Sequence, residues 1–252
     1  MVTSVTRNQS SALIEQKLQL ADPWYQLIIK MLNPIIQDFN GKKFLEVGCG
    51  LGGFCIHVAK RGAKVIGVDI SKKAIHEAKN LTKKINVQNQ VDFIIADAQS
   101  LPLKDQAREI VVCSEVLEHV SNYEKAFGEI NRVTKRSGYM CLTVPNFLST
   151  AFFENVFLLF MGQPQYVKKL VCVEKEHIFH IFKLMKLIKQ ENLKTIKIRS
   201  TDFLHLPPRI RRALRISQVL KILSDRIEDY FEVHQSPLRF LGANIGVLIK
   251  KD

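Results

Sequence analysis

The chain has 252 residues, enough for a large α/β domain. A hydrophobic content of 46% excludes a disordered chain, and no run approaches ~18 uninterrupted apolar residues, which excludes a membrane-spanning helix. The net charge is +13, with 19 Lys/Arg against 14 Asp/Glu in residues 1–146 and 18 against 10 in the remainder. The basic excess therefore concentrates toward the C-terminus and is compatible with nucleic acid, an anionic membrane surface, a phosphorylated substrate or plain solvation.

Residues 12–39 place Leu13, Ile14, Leu18, Trp24, Leu27, Ile28, Met31, Leu32, Ile35 and Ile36 at helical spacing. Pro23 and Pro34 divide that pattern, because proline removes a donor and disfavours helix just before it. These segments are expected to cover the core. Lys43–Val47 reads as a first strand, followed by the glycine-rich turn Gly48-Cys-Gly-Leu-Gly52 and a helix. Lys64–Asp69 is a second strand, and Ser71 is placed to cap a helix with Ala74, Ile75, Ala78, Leu81 and Ile85 on one stripe. Val91–Ala96 and Glu109–Ser114 follow as strands. Ser121 or Asn122 then starts a helix that Gly138 is expected to close, ahead of a fifth strand, Tyr139–Val144. Residues 178–190 are helical by spacing, and Lys194–Arg199 and Ile245–Ile249 complete the strands. Short, β-branched strands separated by helices predict a parallel sheet buried on both faces.

Five cysteines (Cys49, Cys55, Cys113, Cys141 and Cys172) lie in apolar surroundings with no C-x-x-C pair, which favours buried thiols in a reducing compartment. Met1 to Gln19 lacks the apolar core of a signal peptide, so a cytoplasmic location is expected.

In an open parallel sheet, ligands bind beyond the carboxyl ends of the strands. Those ends carry Gly48–Gly52, Asp69, Asp97 and the pair Ser114-Glu115. The glycines let the backbone turn sharply and approach a ligand. A carboxylate at Asp69 offers two oxygens in one plane, which suits the paired hydroxyls of a ribose. Asp97 is placed to accept from an exocyclic amine, with the Ala98 N–H beside it. Together these describe an adenosine site, whereas each alone is a common feature of turns and helix caps.

The runs Glu46-Val-Gly-Cys-Gly-Leu-Gly52, Val68-Asp-Ile-Ser71, Ala96-Asp-Ala-Gln-Ser-Leu-Pro-Leu103 and Cys113-Ser-Glu-Val-Leu-Glu-His-Val120 resemble the successive motifs of class I S-adenosylmethionine-dependent methyltransferases. The likeness is to the large group around the quinone-biosynthesis methyltransferases and covers roughly residues 40–146. It implies a Rossmann-like, doubly wound α/β sheet of seven strands, mostly parallel with the last antiparallel, and helices on both faces. The whole of 1–252 is then expected to be one methyltransferase domain: a helical cover over 1–40, a cofactor-binding core over 41–146, a lid or acceptor insert over 147–190, and C-terminal strands over 191–252 interrupted by a basic insert at 203–238. The resemblance assigns Glu46, Gly48, Cys49, Gly50 and Gly52 to the methionine end of S-adenosylmethionine, Asp69 to the ribose and Ile70 to the adenine face. Asp97 and Ala98 take the adenine edge, and Ser114 and Glu115 the methyl side. One departure is Arg108-Glu109, where the family often has an aromatic residue and an aspartate.

The sulfonium is already an activated electrophile, so the protein mainly aligns the acceptor and excludes water. An oxygen acceptor must also lose a proton. His119 is the candidate, imidazole being the side chain that exchanges protons near neutral pH. Were Glu115-x-x-Glu118-His119 helical, its three side chains would share one face and suit a divalent ion. The pattern resembles the metal site of quinone-pathway O-methyltransferases and of small-RNA 2′-O-methyltransferases, with His177 or His180 as the further ligand. The Phe- and Leu-rich stretch 147–176 predicts a flat apolar or lipid-tailed acceptor. Residues 206–231 read as a basic amphipathic helix suited to an anionic membrane surface. The readings are, in order, a methyltransferase acting on a small-molecule or lipid-linked acceptor, with oxygen as the expected acceptor atom; an RNA 2′-O-methyltransferase; and a non-catalytic protein that binds the adenosine cofactor. A nicotinamide oxidoreductase is disfavoured, because no catalytic Tyr/Lys set is apparent. Nucleic acid is disfavoured as a partner because aromatics are not interleaved with the basic positions.

Overall fold

The computed structural model describes residues 20, 22–146, 177, 179–201, 222–227, 229, 230 and 240–252. The expected acceptor insert at 147–176, most of the basic stretch at 206–231 and the helical spacing before residue 20 lie outside them. The elements run α1 (Pro23–Leu32), β1 (Lys43–Val47), α2 (Gly53–Ala59), β2 (Lys64–Asp69), α3 (Lys72–Ile85), β3 (Val91–Ile95), β4 (Arg108–Ser114), α4 (Tyr123–Val133), β5 (Thr134–Pro145), α5 (Ile181–Gln190), β6 (Lys194–Thr201) and β7 (Asn244–Lys250).

The seven strands form a single sheet in the order β3-β2-β1-β4-β5-β7-β6. Strands β1 to β5 are parallel, and β7 runs antiparallel to both β5 and β6. The expected seven-stranded, mostly parallel arrangement with an antiparallel final strand is therefore observed. Strand alternation divides the core between the two faces. Phe44, Val65, Ile110 and Val112 pack in one cluster with α1, α2 and α3, while Leu45, Val47, Val68, Val111 and Cys113 pack in the other with α4 and α5. Burial of the central strands on both faces explains their continuous apolar sequences.

Local chemistry sets the helix boundaries. Ser71 caps α3, its side chain accepting from the Ala74 N–H, and Asn122 caps α4 in the same way through the Lys125 N–H. The sequence expectation at Gly138 is corrected. Helix α4 already ends at Val133, and the chain passes straight into β5 with Thr134 as C-cap, whose hydroxyl donates to the Ile130 carbonyl at 2.6 Å. Gly138 instead marks a close backbone passage: a Cβ there would stand 2.8 Å from the carbonyl oxygens of Glu109 and Lys135. The departure at Arg108-Glu109 also has a structural account. Glu109 accepts from the Lys43 N–H at 2.9 Å and from Lys42 Nζ at 3.3 Å, tying the start of β4 to the start of β1. Among the described residues, no helix is long and apolar enough to cross a membrane, and Cys49, Cys55, Cys113 and Cys141 are free, buried thiols.

Candidate functional site

Strand β1 ends in the turn Gly48–Gly52, and Gly48, Gly50 and Gly52 all have positive φ (73°, 50° and 76°). That backbone path is one that side chains rarely adopt. The N–H groups of Gly48 and Cys49 both donate to the Val68 carbonyl, at 2.7 and 2.9 Å, which seats the turn against the end of β2. Asp69 then closes the arrangement. Its Oδ2 accepts from the Gly50 N–H at 2.9 Å and its Oδ1 from the Ser71 N–H at 2.8 Å. An ionised carboxylate has about four acceptor positions, so after these two bonds Asp69 keeps capacity for two further donors.

Asp97 stands on the neighbouring strand end. Residues Asp69 and Ile95 are register partners, and the Ala96 N–H donates to the Asp69 carbonyl at 3.1 Å. The two acids are thus side by side along one sheet rim, as an adenosine site requires. Ile70 is 71% exposed on that rim, an apolar surface left open at the end of β2, while Ala98 is buried. A Cβ at Gly50 would meet nothing within 4 Å. The turn therefore opens onto free space at Gly50, beside the two rim acids.

Glu46 and Cys49 occupy a different position from the rim acids. Alternation along β1 sends Glu46 to the same face as Phe44, into the core beneath the turn, where it is 1% exposed. Its Oε1 accepts from the Tyr25 hydroxyl at 3.1 Å, and its Oε2 accepts from the Cys55 N–H at 3.1 Å and the Cys55 thiol at 2.9 Å. Burial pushes the Glu46 carboxyl up from 4.5 to about 7, against the opposing pull of these donors. Cys49 is also buried.

The metal expectation is corrected. Glu115 has φ +52°, and residues 117–119 form a turn rather than a helix, so the i, i+3, i+4 face on which the expectation rested does not exist. Glu115 is drawn to β7, accepting from Asn244 Nδ2 at 3.0 Å. Glu118 is buried, while His119 is 53% exposed with its Nε2 3.7 Å from Glu118 Oε1. His177 packs edge-on against Tyr123, its Nε2 3.3 Å from the Ser121 carbonyl. Among the described residues no group of three or more His, Cys, Asp or Glu side chains converges as a metal would need, so Glu115, Glu118, His119 and His177 do not fit a divalent ion. Ser114 pairs with Thr143, hydroxyl to hydroxyl at 2.8 Å, and is buried.

Two residues of the site were not singled out for it from the sequence. Gln99 holds Asp97: the Gln99 N–H and Nε2 donate to Asp97 Oδ1 at 2.8 and 3.1 Å, and Nε2 reaches Oδ2 at 3.1 Å. Its Oε1 accepts from Ser121 Oγ and the Asn122 N–H, both at 3.0 Å, so one amide links the β3 rim to the loop that carries His119. Tyr25 reaches Glu46 from α1 while its ring stacks on Phe54, centroids 5.9 Å apart and 6° from parallel. Helical spacing already puts Tyr25 on a face with Ile28, Ile29 and Leu32, but only the fold shows which strand that face meets. A depression of about 460 Å³ lined by Ile35, Lys42, Glu109, Lys135 and Tyr139 lies at the opposite rim, where β1 and β4 begin, and plays no part in this arrangement.

Residues 45–142 match a family model described as "Methyltransferase domain". Norajmaline N-methyltransferase from Rauvolfia serpentina is 38% identical over 93 residues, which cover 36% of this chain and 32% of that protein. Ubiquinone biosynthesis O-methyltransferase from Azoarcus sp. (strain BH72) is 30% identical over 152 residues, covering 55% of this chain and 64% of that protein. The chain thus spans less than two thirds of the length of either relative. Among solved structures, geranyl diphosphate C-methyltransferase from Streptomyces coelicolor A3(2) shares the fold with a TM-score of 0.62 at 16% identity, covering 90% of this chain and 76% of that one. These proteins are named for transfer to nitrogen, oxygen and carbon, so their common core does not fix the acceptor atom. Residues 45–142, which hold the Gly-turn rim and most of the parallel strands, thus match the methyltransferase domain, and the sheet as a whole has the fold of the solved methyltransferase.

Proposed function

We propose that the chain transfers a methyl group from S-adenosylmethionine to an oxygen atom of a small-molecule or lipid-linked acceptor. The observation that carries the cofactor half is the pair Asp69 and Asp97, side by side on adjacent strand ends beside a turn whose Gly50 N–H already rests on Asp69. In this reading Asp69 accepts the ribose hydroxyls, Asp97 and the Ala98 N–H take the adenine edge, and Ile70 supplies apolar surface to the base. Gly48, Cys49, Gly50 and Gly52 receive the methionine end, with Glu46 supporting them from below. Ser114 and Glu115 border the methyl side.

When bound, the sulfonium supplies an activated methyl electrophile. The chain's own contribution is alignment, exclusion of water and removal of one proton. His119 is assigned the proton: it is exposed on the loop after β4, with Glu118 Oε1 3.7 Å from its Nε2. That assignment, and the partial likeness to an O-methyltransferase, are what favour oxygen. The lipid-linked option rests on the Phe- and Leu-rich run at 147–176 and the basic stretch at 206–231.

The test is an assay of metabolite extract with isotopically labelled methyl donor, followed by identification of the labelled product. An O-methylated product supports the proposal, and label on carbon or nitrogen overturns the oxygen assignment. Calorimetry with S-adenosylmethionine against NADH tests the cofactor separately. With the acceptor in hand, His119→Ala is expected to lower kcat by about a hundredfold, and turnover at the wild-type rate removes His119 from the chemistry. Gln99→Ala, which frees Asp97 from its amide clamp, is expected to weaken S-adenosylmethionine binding about fivefold by calorimetry, the scale of one hydrogen bond of ~1 kcal/mol.

A further inference from the structure

The N-terminal helix α1 is joined to the glycine turn by a polar connection inside an otherwise apolar cluster. Tyr25 is half-buried, stacks on Phe54 of α2, and donates its hydroxyl to Glu46. Glu46 in turn holds the first turn of α2 through the Cys55 N–H and thiol. A carboxylate at an inward-facing position of the central strand is costly unless its lone pairs are occupied, and here three donors from two helices occupy them.

We infer that Tyr25 is a positioning residue for cofactor binding: through Glu46 it fixes the start of α2, and with it the Gly48–Gly52 turn, in the shape that accepts S-adenosylmethionine. This rests on the cofactor reading above and goes beyond it by giving the N-terminal helix a role at the site. The connection works only while Glu46 is an acceptor. A proton on Glu46 turns one of its oxygens into a donor, which opposes the Tyr25 O–H or the Cys55 N–H. Among the described residues, the groups facing Glu46 are Tyr25 from α1, Cys55 from α2, Cys49 in the turn, Asp69 at the end of β2 and Cys113 in β4. No cation is among them, so the Tyr25 and Cys55 donors are what favour the charged form against burial.

The sign follows directly. Burial raises the Glu46 carboxyl to about 7, so the acceptor form is lost as pH falls through that value, and affinity for S-adenosylmethionine falls with it. Tyr25→Phe keeps the ring on Phe54 but removes one donor to the carboxylate, so the loss should begin at higher pH. The experiment is calorimetric titration of the full chain with S-adenosylmethionine from pH 5.5 to 9, a span of about two units to either side of neutrality, for wild type, Tyr25→Phe and Glu46→Gln. The inference expects Tyr25→Phe to bind about tenfold more weakly near neutrality, the effect of one hydrogen bond to a charged group, and to approach wild type at the alkaline end. Glu46→Gln, with no proton to gain, should show a flat profile. Coincident wild-type and Tyr25→Phe profiles, or a Glu46→Gln profile that keeps the wild-type slope, overturn it. Failure of the wild type to bind S-adenosylmethionine at any pH overturns the cofactor reading itself, so the two failures are distinguishable.

Discussion

Replacing Asp69 by alanine is expected to weaken S-adenosylmethionine binding by a hundredfold or more. The carboxylate stands at the junction of three elements: it ends β2, receives the Gly50 N–H of the glycine turn, and receives the Ser71 N–H at the start of α3. In the proposed complex its remaining capacity goes to two ribose hydroxyls. Hydrogen bonds to a charged acceptor contribute about 1.5–3 kcal/mol each, so losing two of them removes ~3 kcal/mol or more, or at least about two orders of magnitude in affinity. Asp69→Asn keeps one acceptor oxygen and should fall between, about tenfold weaker than wild type. The fold is expected to survive, because the backbone groups released at Gly50 and Ser71 sit at a partly open rim where water can replace the carboxylate. Calorimetry for affinity and thermal melts for stability, taken together, check this. Alanine at position 69 binding within threefold of wild type would remove Asp69 from the cofactor site.

Much of this arrangement was legible in the sequence because each strand ends its apolar run on a residue with a visible job. Val47 gives way to glycines, Val68 to Asp69, and Ile95-Ala96 to Asp97. A parallel sheet fixes what those ends share, so naming the strands was enough to align the acids along one rim. Three features were not legible, for separate physical reasons. The Glu115–His119 run has helical spacing, but Glu115 takes a left-handed backbone conformation as the chain leaves β4, and this rotates the carboxylates out of phase. Gly138 sits where a helix-closing glycine belongs, yet the requirement it meets is the approach of the Glu109 and Lys135 carbonyls, which no local pattern encodes. Tyr25 and Gln99 act through partners 21 or more positions away, Glu46 and Asn122, so their roles appear only once α1 and α4 are docked. Glu46 was expected at the site from its place before the glycines, but its burial was not legible. The alternation of β1 sends it inward, and only the fold shows that three donors wait there.

The turn itself offers the second large effect, through a contrast between two of its glycines. Both Gly48 and Gly50 have positive φ, so alanine at either incurs a backbone cost of about 1–2 kcal/mol. Their surroundings differ. A Cβ at Gly48 would lie 2.2 Å from Cγ2 of Val116, on the loop after β4 that leads to His119. Val116 is packed against the second core cluster, so the clash forces backbone to move and adds about 1–3 kcal/mol. At Gly50 the same methyl meets nothing within 4 Å. Gly48→Ala is therefore expected to lose ~2–5 kcal/mol, a fall in Tm of roughly 5–15 °C for a chain of this size, together with affinity for S-adenosylmethionine. Gly50→Ala should cost only the backbone term, a few degrees in Tm, while the methyl fills the open space through which the ligand would approach the turn in the proposed complex. Its signature is near-normal stability with binding reduced by at least tenfold. A Gly50→Ala protein that binds S-adenosylmethionine as wild type does would show that the open side of the turn is not where the cofactor lies. A Gly48→Ala protein as stable as wild type would show that the turn and the β4 loop are not packed as described.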